Sequence, residues 1–411
     1  MEFMRKTTRF LITLAATAAA LFAQPQPGAG APLRGLTATE AEFFEKGRQA
    51  FQEVDGVADG LGPRFNLDSC AGCHAHPAVG GTSPAVNPQV ALATHLGATN
   101  RVPPFIQQDG PVRVVRFRRT PNGGPDGGVH NLFTIAGRGD APPNCNLTQP
   151  DFSQRDNIVF RIPTPVFGLG LIEAIPDAVL RANLAAGAAR KRSLGITGRF
   201  NISANDGTIT RFGWKAQNKS LLIFSGEAYN VEIGVTNELF PQEREDDAAC
   251  AVTPALEDAD SDAALFTQFM RWLAPPRPAP PSDASDRGRE VFNSIGCDTC
   301  HTPLLRTGRH TSLALHQQDV PVYSDLALHR MGQALNDGID QGDAHGDDWR
   351  TAPLWGLGQR IFFLHDGRTR DLADAIRLHD SPGSEARQVI GNFNALTPEQ
   401  RQDLLTFLRS L

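Results

Sequence analysis

The chain has 411 residues, a formal net charge of −6, 40% hydrophobic and 20% charged residues. That length and balance support a packed core of two or three domains, and the acidic excess argues against nucleic acid while leaving room for a basic electron-transfer partner. After the first two dozen residues no stretch reaches the roughly 18 to 20 uncharged apolar residues that cross a bilayer, so no membrane span is expected.

In chain order, Arg5, Lys6 and Arg9 precede an apolar stretch from Phe10 to Phe22 and then Ala23, the pattern of a secretory signal peptide over residues 1–23. Its loss takes the formal charge from −6 to −8, because that segment carries three basic residues against Glu2. The periplasm is the expected location. Thr37 and Glu40 form a capping box for a helix with Phe44, Gly47, Phe51 and Val54 on one side. Cys70-Ala71-Gly72-Cys73-His74 follows, then loop-like sequence such as 121–128. Phe200 to Ser203 and Thr208 to Thr210 flank Asn205-Asp206-Gly207, a hairpin signal. A helix is expected from about Asp262 to Leu273, with Leu265, Phe269 and Leu273 in line.

The proline-rich segment 274–283 then divides the chain into a first domain, 36–273, and a second, 284–411. The second half carries Cys297-Asp298-Thr299-Cys300-His301 and an acid cluster of Asp337, Asp340, Asp343, Asp347 and Asp348, which could hold calcium but lacks EF-hand spacing. Thr397, Pro398 and Gln400 open a terminal helix with Leu404, Leu408 and Leu411 in line.

Three blocks recur in the same order in the two halves. Gly47-Arg48-Gln49-Ala50-Phe51 matches Gly288-Arg289-Glu290-Val291-Phe292, and Pro165 to Gly170 matches Pro353 to Gly358. Phe212-Gly213-Trp214 with Leu221 matches Phe363-Leu364-His365 with Leu372. The order implies a duplicated domain. The first copy is the longer, since Gly170 to Trp214 spans 44 positions and Gly358 to His365 spans 7.

Two thiols three positions apart can add to the vinyl groups of one haem, and the following histidine then lies beneath the porphyrin as iron ligand. Two such motifs in an exported chain predict two covalently bound haem c groups, at Cys70, Cys73 and His74 and at Cys297, Cys300 and His301. A zinc site would need four Cys or His ligands, which neither motif supplies alone. Cys145 and Cys250 remain as a candidate disulfide. The occupant of each sixth iron position decides between electron transfer and reaction with peroxide. Beyond the signal segment only Met270 and Met331 are available. Met270 reads as core, and Met331 is the axial candidate of the second haem, with His329 as rival. The first haem has no nearby methionine; His76, His95 and His130 are the groups that could close it. Peroxide cleavage also needs an acid/base group, for which Glu173, Glu227 and Glu232 are the candidates. Trp214 stands where the other copy has His365 and could carry electrons between the haems.

From about Gly47 to Leu411 the chain resembles the di-haem oxidoreductase family, relatives of bacterial di-haem cytochrome c peroxidases and of the methylamine-utilisation di-haem enzyme. The resemblance lies in Gly62 to Asn66 leading into the first motif, Gly168 to Pro176, Glu232 to Asn237, Trp349 to Gly356 and Leu364 to Arg368. It implies a mainly α fold of tandem cytochrome c-like domains, the first enlarged by loops and a β-hairpin insertion. It also implies a peroxidatic first haem fed by an electron-transferring second, with Trp214 between the haems and Glu232 as acid/base. The peroxidases take the second-haem methionine from just before the segment matching Arg350 to Pro353, where this chain has Asp348 and Trp349. The expected partners are hydrogen peroxide or another small oxidant and a small donor protein, a cytochrome or copper protein. The competing readings are a di-haem electron carrier serving a dehydrogenase and a long-range oxidase of a protein or polymer.

Overall fold

A computed structural model describes residues 27–153, 155–242, 249–250, 257–258 and 261–411. The expected signal segment, 1–23, lies outside the described residues. Each half is organised around a pair of helices crossing at a glycine. Helix α1 (Ala38–Gln52) opens on the Thr37–Glu40 capping box and buries Phe44, Gly47 and Phe51. It packs on α3 (Asp262–Trp272), which buries Phe266, Phe269 and Met270; helix α2 (Leu221–Ala228) lies beside α3. In the second half α4 (Asp283–Ile295) packs on the terminal helix α7 (Pro398–Ser410), with α5 (Leu372–Arg377) and α6 (Arg387–Asn394) beside them.

The repeated sequence blocks recur as repeated geometry. A Cβ on Gly47 would lie 2.2 Å from the carbonyl oxygen of Leu265 on α3, and one on Gly288 would lie 2.0 Å from that of Asp403 on α7. Only glycine permits either crossing. Gly170 and Gly358 meet the carbonyls of Arg271 and Arg409 in the same way. Phe212 and Phe363 each make an antiparallel bridge six residues on, to Asn218 and Thr369, and the next residues, Gly213 and Leu364, both adopt left-handed backbone with φ 84° and 68°. The halves also exchange backbone hydrogen bonds: the Ile162 N–H donates to His365 O at 2.8 Å and the Arg350 N–H to Trp214 O at 3.1 Å.

Strands form small antiparallel sheets. In the first half β1 (Val114–Phe117) lies between β2 (Val129–His130) and β3 (Ile158–Arg161), with Val115 opposite both His130 and Phe160. In the second, β4 (Leu328–Arg330) pairs with β5 (Asp348–Arg350), His329 opposite Trp349. Among the described residues the largest apolar core runs through the first half and takes in Leu305, Leu315, Val320, Val322 and Trp355 of the second, and a separate one is built by Phe292, Phe363, Phe393, Leu404 and Phe407.

Some expectations need correction. Helix α1 ends at Gln52, so Val54 leaves the apolar stripe and is 60% exposed. The 200–210 hairpin is reduced to the Ile202–Ile209 bridge with flanking hydrogen bonds, and of its turn residues Gly207 alone has positive φ. In the terminal helix Leu404 and Leu408 are buried, whereas Leu411 lies past its last turn. Residues 277–282 are exposed and without regular structure, but Pro276 is buried against Gly356, and the Ala279 N–H donates to Ser410 O at 2.8 Å. Cys145 and Cys250 form a buried disulfide across 105 positions.

Candidate functional site

At the first Cys-x-x-Cys-His motif, residues Cys70–Cys73 make one helical turn that places both thiols on one side, and His74 ends it. The His74 Nδ1–H donates to Gly81 O at 3.0 Å, which turns Nε2 away from the tight 74–82 loop. Phe51 of α1 meets the imidazole edge-on at 5.9 Å. The second motif repeats this design: Cys297–Thr299 form a single 3₁₀ turn, His301 Nδ1–H donates to Tyr323 O at 3.0 Å, and Phe292 of α4 lies 6.4 Å from the ring. Burial pushes both imidazoles down to about 4, so each is neutral at pH 7 with Nε2 as a lone-pair donor. A ring whose Nδ1–H is held by a backbone carbonyl is the arrangement of a ligating histidine.

Beside the second motif lies a cavity of about 220 Å³, lined by Cys297, Cys300 and His301, by Met331 and His379, and by apolar side chains such as Leu354. Two guanidiniums, Arg350 and Arg360, also face it. Arg350 donates to the Gly213 carbonyl at 3.1 Å, and burial lowers both cations to about 10. Neither has a carboxylate partner among the described residues. Buried cations without a counter-charge are costly. An apolar slot with two thiols, a neutral imidazole and two unmatched cations suits a haem, whose propionates would neutralise the arginines.

Of the residues singled out by sequence, Met331 is buried on the cavity wall, and its N–H donates to Asp347 O at 2.8 Å. His329 has both ring nitrogens engaged, Nε2 with Asp325 at 3.0 Å and Nδ1 with Glu385 at 2.9 Å, and His329 and Asp325 cluster with Cys300. His379 went unnoticed in the sequence. Its Nδ1–H donates to Ala375 O at 2.8 Å, and it follows a short helix with no spacing to advertise it.

Trp214 of the first half lines the cavity and donates from Nε1 to Ile162 O at 2.9 Å. Its ring meets Trp349 and His365 edge-on, each at 6.5 Å, and those two stack at 3.8 Å. Trp349 therefore stands in the cavity wall with its Nε1 donating to Leu335 O. Glu232 is carried by a π-helical turn, Tyr229–Ile233, that packs on the sequence before the first motif. Its carboxylate accepts from the Asn66 amide at 3.2 Å, and loss of solvent, aided by the Glu232 charge, holds the Cys73 thiol well above its usual range. Glu173 is engaged elsewhere: it accepts from Arg271 at 3.1 Å and from the Leu221 N–H, at the start of α2, at 2.9 Å. Glu227 accepts from Asn218.

The remaining histidines of the first half are also placed. His76 Nε2 meets Gln359 O at 2.7 Å, His95 is exposed, and His130 pairs with Asp126 at 2.9 Å while stacking on Phe117. The acid cluster does not converge on one point. Asp337 pairs with Arg161 and Lys215, Asp348 pairs with Arg199, and Asp340 is 67% exposed.

Two Cys-x-x-Cys-His turns, each holding a neutral histidine by its Nδ1–H, mark a chain built for two haems. Residues 116–411 match the model of the family described as "Di-haem oxidoreductase, putative peroxidase", and the chain belongs to that family. It is an oxidoreductase. None of the curated proteins matches it. Solved structures give a loose likeness only. Hydrazine synthase of Kuenenia stuttgartiensis is 14% identical over 99% of this chain and 100% of that one, with a TM-score of 0.39. The di-haem peroxidase BthA of Burkholderia thailandensis is 13% identical over 94% of each chain, with a TM-score of 0.40. A MauG-like protein associated with microbial copper homeostasis is 16% identical over 60% of this chain and 89% of that one, with a TM-score of 0.29. Among the described residues no helix is long and apolar enough to cross a membrane.

Proposed function

We propose that the protein is a periplasmic di-haem c-type peroxidase that reduces hydrogen peroxide with electrons from a small donor protein, a cytochrome or copper protein. In this reading the two halves are tandem cytochrome c-like domains, 36–273 and 284–411, joined by the segment 274–283. Cys70 and Cys73 with His74, and Cys297 and Cys300 with His301, would hold the two haems, and Met331 would serve as a further ligand of the second. Bound haem would supply the iron that reduces peroxide in the first half and the electron relay in the second. The chain's own residues do the rest. Arg350 and Arg360 would neutralise propionates. Glu232, oriented by Asn66, would take a proton from one peroxide oxygen and return it to the other. Trp214 would bridge the two sites.

The observation that carries this reading is the inequality of the two sites. Met331 lines the cavity beside the second motif, whereas the methionine of the first half, Met270, is packed in the core and a carboxylate, Glu232, is bonded to Asn66 just before the first motif instead. The test is the spin state of each haem in the purified protein together with peroxide-dependent oxidation of a reduced donor. One high-spin and one low-spin haem with turnover is expected. Two low-spin haems without turnover would make the protein an electron carrier.

A further inference from the structure

We propose that the ammonium of Lys215 is a resident cation at the junction of the two halves. It fills a cage of oxygen ligands that would otherwise take a metal ion, and it holds Trp214 and Trp349 in place. The side chain is fully buried, yet Nζ lies among four oxygens of the acid-rich 337–348 segment. It donates to the carbonyls of His345 at 2.6 Å, Gly346 at 3.0 Å and Asp348 at 3.2 Å, and it pairs with Asp337 Oδ1 at 3.3 Å. Carbonyls with one carboxylate are the donor set that hard cations use. A dry ammonium is tolerated only when it is hydrogen-bonded and paired, and here both conditions are met.

Asp337 is shared by two cations, and two other acids of the segment are engaged elsewhere. Asp337 presents its second oxygen to Arg161 at 2.6 Å, Asp348 pairs with Arg199, and Asp340 faces outward with His345 at 3.5 Å. With Lys215 in place a divalent ion would meet an ammonium at the centre of the cage, so Asp337 and the three carbonyls serve the lysine rather than calcium.

The ammonium also ties the two tryptophans together. Lys215 follows Trp214 directly in sequence, and Nζ lies 4.3 Å from the centre of the Trp349 ring. The carbonyls it gathers, His345 to Asp348, lead directly into Trp349 and Arg350, and the Arg350 N–H donates to Trp214 O. Fixing one cation therefore fixes the edge-on contact of the rings. Any benefit to electron transfer rests on the route through Trp214 proposed above; the cation cage does not.

The test uses the holoprotein. Lys215→Ala removes a propylammonium equivalent and opens the cage, and Lys215→Met keeps the stem while removing the charge. Both should lower Tm by about 5 °C or more and weaken the near-ultraviolet circular dichroism of the tryptophans. n-Propylammonium chloride should restore most of both signals in Lys215→Ala and neither in Lys215→Met. If Lys215→Ala folds only when n-propylammonium is present during refolding, that too supports the proposal. Wild type should respond to neither calcium nor EDTA. A wild type that loses stability in EDTA and regains it with calcium would overturn the proposal, as would a Lys215→Met protein indistinguishable from wild type. These readouts need no peroxide turnover, so they fail or succeed independently of the peroxidase reading.

Discussion

At the residue scale, two glutamates of similar sequence standing separate by their partners. Glu173 is held by Arg271 and by the N–H of Leu221, whereas Glu232 accepts from the Asn66 amide just before the first motif and lies in the field of the buried Arg116 guanidinium. Glu232→Gln is expected to leave both haems bound while lowering peroxide turnover by about 10²- to 10⁴-fold, the usual worth of a positioned acid/base. Glu173→Gln should act on stability instead, because it breaks a pair and unties the start of α2. Turnover lost in Glu173→Gln and kept in Glu232→Gln would reverse the assignment. For Met331→Ala, any sulfur-to-iron charge-transfer band should vanish and the potential of one haem should fall; both unchanged would exclude Met331 as ligand. The Cys-x-x-Cys-His turns were legible because their spacing is itself the chemistry. Lys215, Arg350, Arg360 and His379 were not, because each draws its meaning from groups far along the chain. The Lys215 cage, for instance, is built 130 positions away.

At the element scale, the glycines that mark the internal repeat are where helices touch. The blocks Gly47 to Phe51 and Gly288 to Phe292 could be aligned by sequence, but the reason for the glycine lies in the partner helix, whose carbonyl a Cβ would strike. The capping boxes of α1 and α7 were readable because cap and helix are local. The 202–209 pairing formed around its expected turn, though short, whereas the end of α1 was misjudged because tertiary packing, not local preference, decides where a helix stops. Gly47→Ala and Gly288→Ala should each cost about 1–3 kcal/mol, the range for overpacking, through separation of the crossing helices. Chemical denaturation of the holoprotein measures this, and a change below about 0.5 kcal/mol in both would mean that the crossings yield freely.

At the scale of the whole molecule, the segment 274–283 looks like a tether between independent domains when read as sequence, but the two halves share far more than that tether. Arg161 of β3 pairs with Asp337 in the second half, and both side chains are at most 4% exposed. Lys215 enters the same network, Arg118 donates to Asp337 O at 3.0 Å, and Ile162 and Arg350 exchange backbone bonds with His365 and Trp214. None of this could be read from residues more than a hundred positions apart. It bears on function because a route for electrons through Trp214 works only if the second half cannot drift from the first. The tether should then be dispensable once the protein has folded. A protease site introduced between Arg277 and Ser282, where the chain is exposed, should be cut without separating the halves. Nicked holoprotein should elute from a sizing column at the volume of the intact chain. It should do so in 1 M salt as well, because screening at a Debye length of about 3 Å weakens exposed pairs much more than buried ones. In Asp337→Asn the buried Arg161 and Lys215 cations lose their shared counter-charge, and the nicked halves should come apart. Nicked wild-type halves that separate at low salt would mean that the linker, not the interface, holds the two sites together.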